Sequence, residues 1–314
     1  MLLRDIGGFG YAQNEGVATL SVTPLADRAL MVTGVNITNE SAADNWTVSV
    51  GGRELMRFRH LTPGNGAQHL LHFFNQGVST RLDFFEYCRN ILGIDPSVPV
   101  PIGQTLTVQS AGGATADIDI QFLEVDIPTA NVRGFNHYQG NTFIVPVTWF
   151  LNASQSAAAA VQLDTQVSPV WVPALFSAVA LPTNWKVELL ALFLEGMGVN
   201  TFSGAANHQS TTRDLRVFKN NTQQFTRAGL GVPVRGSDSA AGSANTVFGQ
   251  RSGMFAPFEQ AMPTDDNVLP QPIVLGGGET LQLFLDLTGD LTGGAAYANA
   301  LQVAIARITV PGGS

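Results

Sequence analysis

The chain carries one cysteine, Cys88, and two lysines, Lys186 and Lys219, in 314 residues. A single cysteine excludes an intrachain disulfide. With Phe84, Phe85 and Tyr87 beside it and no base nearby, Cys88 reads as a small buried thiol rather than a nucleophile. The scarcity of lysine and a formal net charge of −8 exclude the dense cationic surface that wraps nucleic acid. Scattered arginines leave only local contact with a polyanion, and no specific nucleic-acid binding is expected. No stretch approaches the ~18–20 apolar residues of a membrane span. The first residues, MLLRDIGGFGYAQ, lack the apolar core of a signal peptide. The chain is therefore expected to be soluble and made in a cytoplasm. The Asn-x-Ser/Thr triplets at Asn36, Asn39, Asn45, Asn152 and Asn220 read as turn and strand residues.

Also missing are a nucleophile elbow, a Walker loop, a dinucleotide fingerprint and a zinc-protease helix. His69 and His72 are the close histidine pair; on a helix they would share a face, but with His60 unconnected to them by spacing they fall short of a metal ligand set. Asp286 and Asp290 sit in a tandem Asp-Leu-Thr-Gly repeat. Oxygen-rich loops bind calcium, yet this one supplies too few ligands and reads as a hairpin tip. Asp238 and the run Thr264-Asp265-Asp266 read as solvated turns. Gly276-Gly277-Gly278 precedes a strand rather than a helix, so it is no phosphate loop. No catalytic, cofactor-binding or metal-ligating residue is assigned, no cofactor is called for, and the chain is not expected to be an enzyme.

What the sequence does contain is uncharged: 45% hydrophobic residues, 13% charged ones and 33 glycines. Low charge suits a surface covered by copies of the same protein, since charged residues are depleted in interface cores. A GC-rich source genome, in which arginine displaces lysine, accounts for the composition equally well. Beyond composition there is repetition. PIGQTLTV (101–108) returns as GGGETLQL (276–283). ADIDIQFLEVDIP (116–128) returns as ALQVAIARITVP (300–311). With Pro128 over Pro311, both strands alternate, slip by one residue at Phe122–Leu123 and Ile305–Ala306, and alternate again. Such a slip marks a β-bulge or a crossing between packed layers. Each phrase is expected to form a hairpin with its closing strand, through SAGGAT (110–115) or TGDLTGGAAYAN (288–299). Gln104 and Glu279 are expected to be exposed, Leu106 and Leu281 to be core.

The upstream segments echo as well. ALMVTGVNIT (29–38) and WKVELLALFLEG (185–196) read as strands. NWTVSVGGRELMRF (45–58) and RDLRVFKNNTQQF (213–225) read as hairpins, with Gly51-Gly52 and Asn220-Asn221 at tight primed turns. STRLDFFEYCRNIL (79–92) has a helical stripe at Leu82, Phe85, Cys88 and Leu92 and stops at Gly93. MFAPFEQAM (254–262) is a weaker helix candidate, and ASQSAAAAVQLD (153–164) is rich enough in alanine for a turn or two of helix. Trp149, Trp171, Trp185 and the aromatic stretch 58–74 read as core, or in part as surface against a neighbouring copy. The fold class is all-β: two tandem jelly-roll sandwiches, with one short helix in the first. The divisions are an N-terminal arm at 1–13, a first jelly roll at 14–128, a connector at 129–141 and a second jelly roll with larger loops at 142–314.

This layout resembles the double jelly-roll major capsid proteins of icosahedral viruses, many with an internal membrane. The small corticovirus-like and finnlakevirus-like versions are the nearest in loop length. The resemblance rests on 46–58, 101–108 and 116–125 in the first half and on 213–225, 276–283 and 301–310 in the second. It implies a bacteriophage capsid protein and a pseudo-sixfold homotrimer, with neighbouring capsomers, penton and minor capsid proteins as partners. It further implies that the N-terminal arm faces an internal membrane or the next trimer, and that the protein ends in the virion. Other readings are a minor capsid or spike component, a pair of carbohydrate-binding sandwiches, a glycan amidase built on two jelly rolls, and a single jelly roll with an elaborated upper domain.

Overall fold

The computed structural model describes residues 6–38, 41–42, 44–60, 84–90, 92–126, 142–150, 159–162, 165–175, 179–195, 212–227, 268–287 and 301–311. Their architecture is almost entirely antiparallel β. The first half contributes β1 (Ile6–Val17), β2 (Thr19–Val22), β3 (Arg28–Thr38), β4 (Asp44–Val50), β5 (Arg53–His60), β6 (Val98–Val100), β7 (Leu106–Ser110) and β8 (Ala116–Asp126). A short helix, α1 (Phe84–Asn90), stands between β5 and β6. The strands form two sheets, ordered β1-β8-β3-β6 and β2-β7-β4-β5. Alternation puts Val35, Ile37, Ile118 and Ile120 of one sheet, and Trp46, Val48, Met56, Phe58, Leu106 and Val108 of the other, into one buried cluster. Phe84, Phe85 and Cys88 of α1 join it, which confirms Cys88 as a buried thiol. Residues 79–83 and 91 of the expected helix lie outside the described residues.

The second half repeats the plan. Its strands are β9 (Thr142–Phe150), β10 (Ala159–Gln162), β11 (Thr165–Val167), β12 (Lys186–Glu195), β13 (Thr212–Lys219), β14 (Thr222–Arg227), β15 (Val268–Gly276), β16 (Leu281–Leu287) and β17 (Leu301–Thr309). The sheets run β11-β9-β17-β12-β15 and β10-β16-β13-β14. Apart from β11, each strand occupies the place of its counterpart in the first half. The registers agree too. With Pro128 over Pro311, Arg28–Asp126 corresponds to Lys186–Thr309, Met31–Leu123 to Leu189–Ala306, and Ile37–Ile118 to Glu195–Leu301.

The turns explain why those registers recur. Gly51 and Gly52 have φ of 58° and 79°, and Asn220 and Asn221 have φ of 49° and 62°, as a two-residue primed turn requires. Each hairpin carries one bulge at the same place, Leu55 in β5 and Gln224 in β14. In the repeated phrase, Gly103 and Gly278 adopt φ of 76° and 84°. The carbonyl that follows then accepts a hydrogen bond from the hairpin turn: Gly51 N–H to Thr105 at 3.0 Å, Asn220 N–H to Thr280 at 3.1 Å. Leu106 and Leu281 are fully buried, as expected. The phrase is thus a clasp joining two neighbouring strands.

Several expectations need correction. Each phrase and its closing strand lie in different sheets, so they form no hairpin; the connection 111–115 passes from one layer to the other. The slip is not a bulge in β8 or β17. It lies in their neighbours: β3 inserts Thr33 between the pairs Val32–Phe122 and Gly34–Gln121, and β12 inserts Leu190 between Leu189–Ala306 and Ala191–Ile305. β8 keeps its alternation, but its apolar side changes. Ile118 and Ile120 face the main core, while Leu123 and Val125 pack with Ala29 and Met31 in a second small cluster. Residues 6–13, assigned above to an arm, are part of β1. Residues 159–162 of the alanine-rich segment form β10 rather than helix, because pairing with β16 overrides a weak local preference. Among the described residues no helix is long and apolar enough to cross a membrane.

Candidate functional site

The two halves meet along a seam that begins at a bulge. In a regular strand residues three apart point to opposite faces. The extra residue Leu55 reverses that parity, so Glu54 and Arg57 share a face. Their side chains form a bidentate pair at 2.9 and 2.7 Å. The hydrogen bonds it donates to Glu54 hold the Arg57 guanidinium above its ordinary pKa. Glu54 also reaches into the second half: its carboxylate accepts the Val170 N–H at 3.1 Å, and its carbonyl accepts the Trp171 indole N–H at 2.8 Å. The Arg53 guanidinium lies 5.1 Å from the centre of the Phe143 ring. Phe143 packs against Trp171 with ring centres 4.8 Å apart and planes tilted by 52°, and Trp171 lies 6.3 Å from Trp185. Ile144, Leu190, Ala191 and Ile305 of the second half belong to the same buried cluster as the first half's core. The seam is therefore apolar, aromatic and hydrogen-bonded, with its carboxylate engaged by a guanidinium.

The outward faces of the β2-β7-β4-β5 and β10-β16-β13-β14 sheets differ. In the first half, Ser21 and Thr107 are hydrogen-bonded at 3.1 Å and Thr23 and Thr105 at 2.8 Å, and the Thr47 hydroxyl donates to the Gln109 carbonyl at 3.2 Å. At the corresponding positions of the second half, Arg216 stands opposite Phe284 and Phe218 opposite Gln282. The two rings meet edge to face at 5.5 Å, and the guanidinium lies 5.5 and 5.8 Å from their centres. Val217, Leu281 and Leu283 on the reverse face are buried.

Two carboxylates organise loops. Asp44 accepts hydrogen bonds from the Ser110 hydroxyl and from the Gly112 and Ala114 N–H groups at 2.7 and 3.3 Å. Burial opposes its ionisation, but these bonds together with the Asn45 N–H outweigh it and hold the carboxyl below the usual range. Glu279 accepts the Gly276 N–H at 2.7 Å and pairs with Lys219 at 2.8 Å, which hold it low as well. Gln104, its counterpart, is exposed as expected, whereas Glu279 is half-buried.

The other sequence candidates are not assembled into a site. His60 ends β5, with its backbone opposite Asp44, and Asp286 lies in β16 opposite Ala160 and Asp214. His69, His72, Asp238, Thr264, Asp265, Asp266 and Asp290 lie outside the described residues, as does 254–262. Gly276–278 form a turn closed by the Glu279 N–H on the Gly276 carbonyl at 3.1 Å. Trp149 is core; Trp171 and Trp185 are half-buried at the seam. Among the described residues no group of three or more His, Cys, Asp or Glu side chains gathers. The Glu54–Arg57 pair and the Arg216–Phe218–Phe284 group have no local signature in the sequence, because the pairing of strands brings each together.

No family model matches the chain, and no curated protein matches it. Solved structures do. The major capsid protein P2 of bacteriophage PM2 aligns over 97% of this chain and 98% of its own, with 10% identity and a TM-score of 0.33. The PBCV-1 virus capsid aligns over 98% and 97%, with 11% identity and a TM-score of 0.32. PNGase F, a glycosylasparaginase from Flavobacterium meningosepticum, aligns over 96% of both chains, with 14% identity and a TM-score of 0.31. The neighbours of this chain thus include viral capsid proteins and amidases, and at these TM-scores none of them decides between the two.

Proposed function

We propose that the chain is the major capsid protein of an icosahedral bacteriophage of the corticovirus or finnlakevirus kind, and that each half is a jelly roll. The observation that carries this reading is the duplication. The same strand order, register, hairpin bulge and clasp occur twice, and a seam at Glu54, Trp171 and Phe143 fixes one copy to the other. A chain that holds two similar wedges in a fixed relation supplies six wedges as a homotrimer, which is what a pseudo-hexagonal capsomer needs. Strand order 1-8-3-6 over 2-7-4-5 supports the jelly-roll reading of the first half, and its repetition supports that of the second.

The role is structural and not enzymatic. In support, the carboxylate at the seam is engaged by a guanidinium and a backbone N–H rather than presented to a substrate. The protein is made in the host cytoplasm and ends in the virion. Its partners are two further copies, neighbouring capsomers, penton and minor capsid proteins and, through residues at the N-terminus, an internal membrane. The test is the native mass of the purified protein together with a low-resolution density map. The expected result is a species of three times 33.3 kDa with a six-lobed ring outline. A monomer that releases glycans from glycopeptides overturns the proposal.

A further inference from the structure

We propose that the open edge of β1 pairs antiparallel with β1 of a second copy of this chain, about a twofold axis centred on Tyr11. The internal duplication supplies the comparison that carries this. β1 and β9 occupy the same place, each beside its closing strand: Phe9 and Tyr11 stand opposite Leu123 and Gln121, and Val145 and Val147 stand opposite Ala306 and Ala304. Yet Phe9 and Tyr11 are 87% and 73% exposed, whereas Val145 and Val147 are 1% and 0% exposed. The second half covers its edge in two ways. β11 adds a further antiparallel strand, with Thr165, Gln166 and Val167 opposite Phe150, Trp149 and Thr148. The chain after β11 then lays Trp171 on Phe143. Among the described residues, nothing covers the edge of β1 in the same way. The fold thus records, in one half, that this edge accepts an antiparallel strand at Thr148–Phe150, the equivalents of Ala12–Asn14, and in the other, among the described residues, leaves it bare.

Between its two register irregularities, at Ile6/Gly8 and Asn14/Val17, β1 runs regularly from Gly8 to Asn14 and lacks the other usual protections of an edge. It is 12 residues long and holds no lysine, arginine or proline, and Glu15 is its one charge. The absence of any cation makes it a poor match for an acidic peptide or a phosphate surface. It does match itself. A strand pairing with its own copy about a twofold keeps like faces together only when the axis passes through a residue. With the axis at Tyr11, Phe9 meets the partner's Gln13, Gly10 the partner's Ala12, and Gly8 the partner's Asn14. Every large side chain except Tyr11 itself then faces a smaller or polar one, Tyr11 meets the partner's Tyr11, and no like charges oppose each other. The glycine at 10 has an independent cause: a Cβ there would lie 2.4 Å from the Phe122 ring, so the inner side of β1 is filled from within the sandwich. Among the described residues, its outer face and edge remain uncovered.

The proposal stands apart from the capsid reading, since it requires one pair of copies and no trimer. The test is register-specific cross-linking of the full chain, in which the native Cys88 is buried and silent. Tyr11→Cys is expected to give a covalent dimer on mild oxidation, because residues directly opposed across antiparallel strands have Cβ atoms about 4.5–5.5 Å apart. Phe9→Cys alone is expected to stay monomeric on a denaturing gel, and Phe9→Cys/Gln13→Cys to dimerise. Tyr11→Lys, a surface change, is expected to weaken association about tenfold or more by sedimentation, since it sets two ammonium groups face to face. A Tyr11→Cys protein that stays uncross-linked while Tyr11→Lys sediments like the parent overturns the proposal. So does a Phe9→Cys homodimer in the absence of a Tyr11→Cys one, or capture of an unrelated protein in place of the dimer. The native mass of Tyr11→Lys, in which the β1 contact is lost, reports on the trimer separately.

Discussion

The two halves of this chain share a backbone and differ in what they show to the outside. Where the first half lines its β2-β7-β4-β5 sheet with Thr47, Ser49, Thr107 and Gln109, the second lines the same positions with Arg216, Phe218, Gln282 and Phe284. Where the first leaves β1 at the edge, the second adds β11. Where the first has an exposed Gln104 beside its clasp, the second has Glu279 bound to Lys219. What stayed the same is what fixes register: left-handed turn residues, one hairpin bulge, the clasp carbonyl and the leucine beneath it. What changed is the chemistry of surfaces, which register does not constrain.

The largest effect should come from the shared part. Leu106→Ala and Leu281→Ala each remove a fully buried side chain at equivalent positions, and each should cost about 2–5 kcal/mol by denaturant unfolding. A loss at one position without a loss at the other would break the equivalence of the halves. Next is the seam. Glu54→Ala strands Arg57 and the Val170 N–H of the second half, and should cost about 1.5–3 kcal/mol. In calorimetry it should also separate one unfolding transition into two. Gly52→Ala, at a φ of 79°, should cost about 1–2 kcal/mol, whereas Asn221→Gly, at the matching place, should change stability by less than about 0.5 kcal/mol.

The smallest effect sharpens the clasp. Glu279→Gln gives the second half the amide of the first and should cost less than about 1 kcal/mol at neutral pH, since the pair is partly exposed. The sign with pH follows from the direction of the shift. The folded carboxyl titrates below its ordinary value of 4.5, so the unfolded chain binds more protons at mildly acidic pH. The stabilisation is complete above the ordinary value and disappears as pH falls through the lowered one. The difference between parent and Glu279→Gln should therefore close on acidification. Asp44 has the same sign, and its substitution by Asn should show the same closing in the first half.

Much of the architecture is legible in the sequence because it is written in local chemistry. Gly51-Gly52 and Asn220-Asn221 announce their turns, the repeated phrase announces the clasp, and the alternation of β8 and β17 announces a strand whose apolar side switches once. Legibility ends where a feature belongs to a pair of strands. The bulges at Thr33 and Leu190 lie inside apolar runs, and only pairing with β8 and β17 reveals them. β1 is hidden because Gly7, Gly8 and Gly10 erase its alternation, and because its aromatics face outward. β10 is hidden because alanine favours helix in isolation. Which sheet a strand joins is not local at all, which is why the layer crossing at 111–115 reads as a hairpin. The seam followed the same rule, since Glu54 and Arg57 come together only through Leu55.

The shared registers have a consequence during synthesis. β3 accepts β8, and by the same spacing of pairs it would accept β17; β12 would accept β8. The chain therefore encodes a strand-exchanged isomer of itself, whose one mismatch is the bulge displaced by a single position. So small a mismatch is a weak barrier to exchange. The order of translation supplies a stronger one: β1 through β8 all precede β9, so the first sandwich can close before its rival strands leave the ribosome. Refolding of the whole chain from denaturant removes that ordering, and it is there that strand exchange between the halves, or between two molecules, should limit the yield.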